Sequence, residues 1–266
     1  MSALDQLLVL SLLGILVAVV IGRGRLAGWG VTAVYAGQLM ARWMMSGLGN
    51  GQVETISSAM SFSIWQFQLH WQFNALSWFF ALITVASALL ASWFSAGAWA
   101  RQYEANGRSI RLFNVAMALN VAGMLLLLAS GELLSLFIGW ELVSWASFML
   151  MLLGSARYAM HYLMYAIVGA MALLAAIVLL YAQTGSLEFA VIAEAIAGMD
   201  NLTLWWLGCL LFTGFGIKMA LLPFHLWQTR AYAATPGPGA AFLGAISSRM
   251  GLFAIILVPV QLISIE

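Results

Sequence analysis

Apolar positions fall in runs of roughly 20 residues along the whole chain, each long enough to cross a hydrocarbon core of about 30 Å. Eight runs read as spans, at about 4–21, 27–45, 75–96, 112–130, 132–153, 159–182, 203–222 and 239–259. Lipid offers the backbone no hydrogen-bond partners, so a spanning segment is a helix or a strand of a closed barrel, and continuous apolar runs favour helices. The expected fold is an all-α polytopic membrane protein of about eight transmembrane helices.

The pattern changes in one loop. Between spans 2 and 3, residues 64–73 read IWQFQLHWQF, where Trp65, Phe67, Leu69, Trp71 and Phe73 alternate with Gln66, Gln68, His70 and Gln72. Such alternation signals a strand with one apolar face. A small β-hairpin on the outer surface is expected here, with turns at Gly47, Gly49 and Gly51 and with His70 on its solvated face. Between spans 6 and 7, Leu187 to Asp200 mixes apolar residues with Glu188 and Glu194, which predicts a short surface helix.

Charge supplies orientation. Only 7% of residues are charged, against about 25% in soluble proteins. Arg23, Arg25, Arg101, Arg108, Arg111, Arg157 and Arg230 follow spans 1, 3, 5 and 7, whereas Asp5, Glu54, Glu188, Glu194, Asp200 and Glu266 lie on the other side with Arg42. Seven of the ten basic residues thus share one side, which the positive-inside rule makes cytoplasmic. Both termini then face outward, across a bacterial-type inner membrane. The first run begins with acidic Asp5 and has no small-residue cleavage site after it, so it reads as a span and not as a cleaved signal.

The lone cysteine, Cys209, builds no disulfide, zinc site or iron–sulfur cluster and reads as a small apolar filler. No cofactor or metal site is expected, and no basic patch with interleaved aromatics points to nucleic acid. HExxH, GxSxG and an intramembrane aspartate pair are all missing from the sequence, which leaves intramembrane hydrolysis without its usual residues. GRGRLAGWG (residues 22–30) has the wrong spacing for a phosphate loop and reads as a turn.

Three charges lie inside spans, where each is costly and is therefore paired or functional: Glu141 in span 5, Lys218 in span 7 and Arg249 in span 8. Lys218 is the only lysine. Gly214 and Gly216 precede it and Pro223 follows, so the seventh helix should break near it, and a broken helix at membrane depth lines a protein or water cavity. Buried lysine shifts its proton affinity readily, unlike arginine. A carboxylate at Glu141 that approached or withdrew would switch it, although a structural ion pair fixing helix register is the simpler reading. His225, seven residues on, would share its face on an unbroken helix, about 10 Å away, and suits either a proton relay or an interfacial position. Glu132 reads as an edge carboxylate, and Arg157 and His161 as residues that snorkel to headgroups.

GWELVSWASFMLM, YLMYAIVGAMALLAAIVLLYAQTGSLEF and GFGIKMALLPFHLWQTRAYAATPGPGAAFLGAISSRMGLFAII resemble the antiporter-like subunits of respiratory complex I, membrane-bound hydrogenases and multisubunit sodium/proton antiporters. The similarity covers spans 3 to 8. It implies that Glu141 and Lys218 form the ion pair of a proton half-channel, that His225 is the histidine after the helix break, and that Arg249 stands at the span 8 lysine position. It also divides the chain into residues 1–111, with spans 1 to 3 and the hairpin, and residues 112–266, a five-helix half-channel unit. The family usually continues to about fourteen spans as two inverted units, so a second half-channel is expected from another chain. QTRAY stands where relatives read LPDAH, and Asn74 stands for an aspartate.

These features lead to a proton-translocating subunit of a larger complex, with other membrane subunits and the bilayer as partners. The alternatives are a non-conducting anchor and the membrane partner of an inorganic-carbon uptake system.

Overall fold

The computed structural model describes residues 3–20, 25–45, 56–58, 62–64 and 67–263. Gly47, Gly49, Gly51, Glu54, Trp65, Gln66, Arg23 and Glu266 therefore lie outside the described residues, as does the side chain of Arg42. Helices account for most of the chain. They are α1 (Ala3–Val20), α2 (Arg25–Met45), α3 (Ala75–Ala96), α4 (Ala98–Ala105), α5 (Ile110–Leu128) and α6 (Leu133–Leu152), then α7 (Ala156–Thr184), α8 (Phe189–Ile196), α9 (Asn201–Met219), α10 (Gln228–Ala234), α11 (Gly237–Phe242) and α12 (Ser248–Ile263).

Six stretches among the described residues are long and apolar enough to cross a membrane: Ala75–Ala96, Ile110–Leu128, Leu133–Leu152, Ala156–Thr184, Asn201–Ala234 and Gly237–Leu257. These carry expected spans 3 to 8, while α1 and α2 stand where spans 1 and 2 were expected. Exposed Leu12, Leu90, Trp93, Met164, Val168 and Trp205 give the helices an apolar exterior, which suits lipid and would be a liability in water. The chain is a multi-pass membrane protein.

The helix starts are written locally. Asn74 accepts a hydrogen bond from the Ser77 amide and so caps α3, a task asparagine performs as well as aspartate. Ser109 caps α5. Glu132, which had read as an edge carboxylate, is buried and forms a capping box with Ser135 at the start of α6, each side chain satisfying the other residue's free amide. Burial raises its carboxyl above the usual range, opposed by the amides of Leu134 and Ser135. Asp200 caps α9 through the Leu202 and Thr203 amides.

Packing centres on α5, the most enclosed span, which contacts α1, α3 and α6. A Cβ on Gly139 of α6 would meet Leu127 Cα at 2.6 Å, so only glycine permits this approach to α5. On the other flank α7 crosses α9 at a glycine pair: a Cβ on Gly214 would lie 3.2 Å from the Gly169 carbonyl oxygen. Small residues allow backbones in membranes to approach in this way. Gly214 and Gly216 lie within unbroken α9, so the break belongs to the proline. Gly214 serves the crossing.

The loop between α2 and α3 forms two short antiparallel ladders: β1 (Ile56–Ser57) with β4 (Gln72–Phe73), and β2 (Phe62–Ile64) with β3 (Phe67–Leu69). The expected ten-residue strand is thus divided, since Ile64 pairs with Phe67. Alternation survives the division at Leu69, Trp71 and Phe73, all buried, because β4 turns the same face to the same core. The Gln72 amide donates to the Ala129 carbonyl at 2.7 Å and the Gly131 amide to the His70 carbonyl at 3.2 Å, tying the loop onto the α5–α6 connection. The surface helix expected within 187–200 is α8, with Phe189 and Ile192 buried and Glu194 exposed.

Candidate proton-handling site around Lys218

Pro223 decides where α9 stops. A proline ring clashes with the carbonyl four residues before it and supplies no amide donor. Four residues before Pro223 is Met219, the last residue of α9. Ala220 follows with φ 54°, in the left-handed region, and closes the helix by donating its amide to the Gly216 and Ile217 carbonyls. A short 3-10 turn, Phe224–Trp227, leads into α10. Lys218 is left in the last turn of α9, where the negative end of the helix dipole favours a cation.

The lysine is 3% exposed. Its Nζ donates to Ser144 Oγ on α6 and to the Tyr162 hydroxyl on α7, both at 3.0 Å. The Ser144 hydroxyl donates in turn to the Trp140 carbonyl at 2.9 Å, and the Tyr162 hydroxyl to the Ser144 carbonyl at 3.4 Å. Nζ lies 5.7 Å from the Trp140 ring centroid and 5.6 Å from that of Tyr162, within the range of a cation–π attraction. Trp227 closes the site. Its indole donates to the Ile217 carbonyl at 3.0 Å, and its ring packs 4.8 Å from Tyr162 and 5.8 Å from Tyr232. A cavity of about 10 Å³ remains among Ser144, Tyr162, Gly169, Gly214, Lys218 and Trp227, about the size of one water.

The expected partners of Lys218 are placed unevenly. Glu141 is half-buried one turn before Ser144, near enough for its charge to act on Lys218. The two side chains share no hydrogen bond: the ammonium goes to the hydroxyls, and Glu141 Oε1 is buried without a hydrogen-bond partner. His225 does not continue the face of α9, because the helix has ended and the turn redirects the chain. Trp227 is the residue that returns to the lysine, and His225 keeps a buried, unpartnered Nδ1.

Arg249 is exposed and does not line the cavity. Its guanidinium donates to the Gly244 carbonyl at 3.2 Å and to the Ala245 carbonyl. The reason is the π-helical turn Leu243–Ser247, whose extra residue per turn rotates everything after it. Ser247 is buried instead, and Ser248 accepts a hydrogen bond from Gln228 Nε2 at 2.5 Å. Tyr232, from the divergent QTRAY stretch, sets its buried hydroxyl near these serines. Cys209 is half-buried on α9, and no group of metal-ligating side chains occurs among the described residues.

Sequence reasoning missed Ser144, Tyr162 and Trp227. Ser144 lies three residues from Glu141 and was within reach of helical spacing. Nothing in the sequence marks Tyr162, 56 residues from Lys218.

Residues 130–266 match the family described as NADH:quinone oxidoreductase/Mrp antiporter, TM. The chain belongs to this family. Among its relatives is NADH-quinone oxidoreductase subunit N of Deinococcus radiodurans, 34% identical over 141 residues, half of this chain and 29% of the relative. Another is F(420)H(2) dehydrogenase subunit N of Methanosarcina mazei, 32% identical over 187 residues, 68% of this chain and 37% of the relative. The fold matches a chain of the membrane-bound sulfane sulfur reductase, an archaeal respiratory membrane complex, with a TM-score of 0.82 at 23% identity over 96% of this chain and 40% of that one. It also matches a chain of the Mrp complex from a Dietzia species, with a TM-score of 0.80 at 21% identity over 98% of this chain and 28% of that one. This member of the NADH:quinone oxidoreductase/Mrp antiporter family therefore spans well under half the length of each relative. It is an antiporter-like membrane subunit, and Glu141, Lys218, His225 and Arg249 all fall within its family region.

Proposed function

We propose that this chain is a proton-translocating subunit of a larger respiratory or antiporter-type complex, in which Glu141 and Lys218 operate one half-channel. The observation that carries the reading is the chain's single lysine, buried at a helix break and hydrogen-bonded to two hydroxyls. Ser144 and Tyr162 accept from the ammonium, and both have lone pairs and protons to exchange with a neutral amine. An approach of the Glu141 carboxylate favours the charged lysine; its withdrawal favours release. The ion pair is thus one state of the site, and the hydroxyl-bound lysine another. His225, with its free buried Nδ1, passes protons between the lysine and one aqueous side. Arg249 faces away from the cavity and is assigned no proton step.

In the same reading α1 and α2 are the first two of eight spans, both termini face outward, residues 1–111 flank a half-channel unit at 112–266, and a partner subunit supplies the second half-channel. Proton flux through the assembled complex in proteoliposomes is the test. Lys218→Ala should abolish flux with assembly intact, and so should Lys218→Arg, which keeps the charge but does not release a proton. Normal flux in either variant would sink the proposal.

A further inference from the structure

Asn120 lies about halfway along α5 and is fully buried. An amide at that depth is costly unless its polar atoms are bonded, and here both ends are. Its Nδ2 donates to the Ala116 carbonyl at 3.0 Å, and its Oδ1 accepts from the Ser147 hydroxyl of α6 at 2.8 Å. Ser147, one turn beyond Ser144, is also buried and stands beside the Tyr162 hydroxyl. Asn120 is thus joined to the Lys218 ammonium through Ser147 and Tyr162.

The direction of each proton in this chain follows from its far end. A carbonyl only accepts, so Ala116 takes the amide's NH2 group, and that fixes which way the amide faces. Oδ1 then has lone pairs alone to offer, and it receives the Ser147 proton. Ser147 has only lone pairs left for Tyr162. The Ser144 carbonyl, which Tyr162 also meets at 3.4 Å, is another acceptor. The Tyr162 proton is therefore directed away from the lysine. Ser144 is set in the same sense by the Trp140 carbonyl. Lys218 meets two lone pairs and no donor, an arrangement that suits an ammonium and not an amine.

We infer that Asn120 is a positioning residue, which fixes the direction of the hydroxyls so that Tyr162 accepts from Lys218 and the site favours its charged form. It carries no proton itself, since a side-chain amide is neither acid nor base here. The inference rests on the reading of Lys218 as the proton site and says what holds that site in one state. The other titratable and charged groups around the ammonium are Glu141 on α6, Tyr162 on α7, His225 in the turn after α9 and Tyr232 on α10, with Arg249 of α12 facing outward. All of them stay in place in the variants below.

Lys218 is the only lysine, so the full chain carrying isotopically labelled lysine nitrogen gives a single Nζ resonance in lipid bilayers. Asn120→Leu should lower the pH at which that resonance turns from ammonium to amine by about half a unit or more, the worth of one neutral hydrogen bond. Ser147→Ala should lower it in the same sense, and it removes only one oxygen, so the test does not hang on the leucine variant folding. Asn120→Asp should keep the wild-type midpoint or raise it. A protonated carboxyl donates to Ala116 and accepts from Ser147 as the amide does, and a carboxylate only accepts. A bond that merely joins α5 to α6 would leave all three midpoints where they were. An unchanged midpoint in both Asn120→Leu and Ser147→Ala would overturn the inference, as would a fall in Asn120→Asp equal to that in the leucine variant. Proton flux through the complex is followed in parallel, and its upper pH limit should move with the midpoint. Midpoints that move while the wild-type complex conducts no protons would keep the positioning role and remove the proton path, so the two readings fail separately.

Discussion

The two hydroxyls that hold Lys218 come from different helices and differ in what else they do. Tyr162 accepts from the ammonium, donates to the Ser144 carbonyl and packs its ring on Trp227. Tyr162→Phe removes the polar contacts and leaves the packing. A positioned proton-transfer group contributes about 100-fold or more, so proton flux should fall by at least about that factor. Loss of a hydrogen bond to a charged group, worth about 1.5–3 kcal/mol, should lower thermal stability in detergent only modestly. Ser144→Ala should act in the same direction. The double variant should lose less than the sum, since both groups share one ammonium. Unchanged flux in both single variants would reduce the hydroxyls to space-filling.

Among the elements, α9 is specified twice. Its start and end are local, set by Asp200 and by the clash between Pro223 and Met219. Its position is not local, because the crossing with α7 rests on Gly169 and Gly214. Overpacking such a contact costs about 1–3 kcal/mol, and here it would also draw Lys218 away from Ser144. Gly214→Leu should therefore lower the melting temperature of the complex and remove proton flux, with Gly214→Ala intermediate in both. Retained flux in the leucine variant would show that something other than this crossing places the lysine. The break in α9 was readable from the proline; the role of Gly214 was not, because a glycine that loosens a helix and one that admits a neighbour look alike in sequence. The strand pattern at 64–73 is similar. Its alternation survived at Leu69, Trp71 and Phe73, while the division into two ladders left no mark on the periodicity.

For the whole molecule, the chain spans 29% and 37% of its two relatives named above, and its exposed faces include both lipid-like surface and Arg249. Purification from native membranes in mild detergent should recover it with other membrane chains, at least one of them belonging to the same family. Recovery as a lone species would count against the proposed place in a larger complex. A composition with 7% charged residues and recurrent apolar runs leaves little choice of class, so the membrane fold and the family signature around Lys218 were legible from the start. Which surfaces are covered was not, because hydropathy does not distinguish a face turned to lipid from one turned to a protein.

Hydropathy, proline and cap residues act within a few positions of themselves, and they determined the helices, the break after Lys218 and the presence of one buried lysine. Tertiary structure decided what that lysine touches. The α7–α9 crossing at Gly169 and Gly214 brought Tyr162 to its ammonium, and α6 brought Ser144 there in place of Glu141, while the turn after Pro223 returned Trp227 in place of His225. The π-helical turn at Leu243–Ser247 put Arg249 outside and Ser247 inside. Each of these depends on the rotation of one helix against another, which a local pattern does not encode.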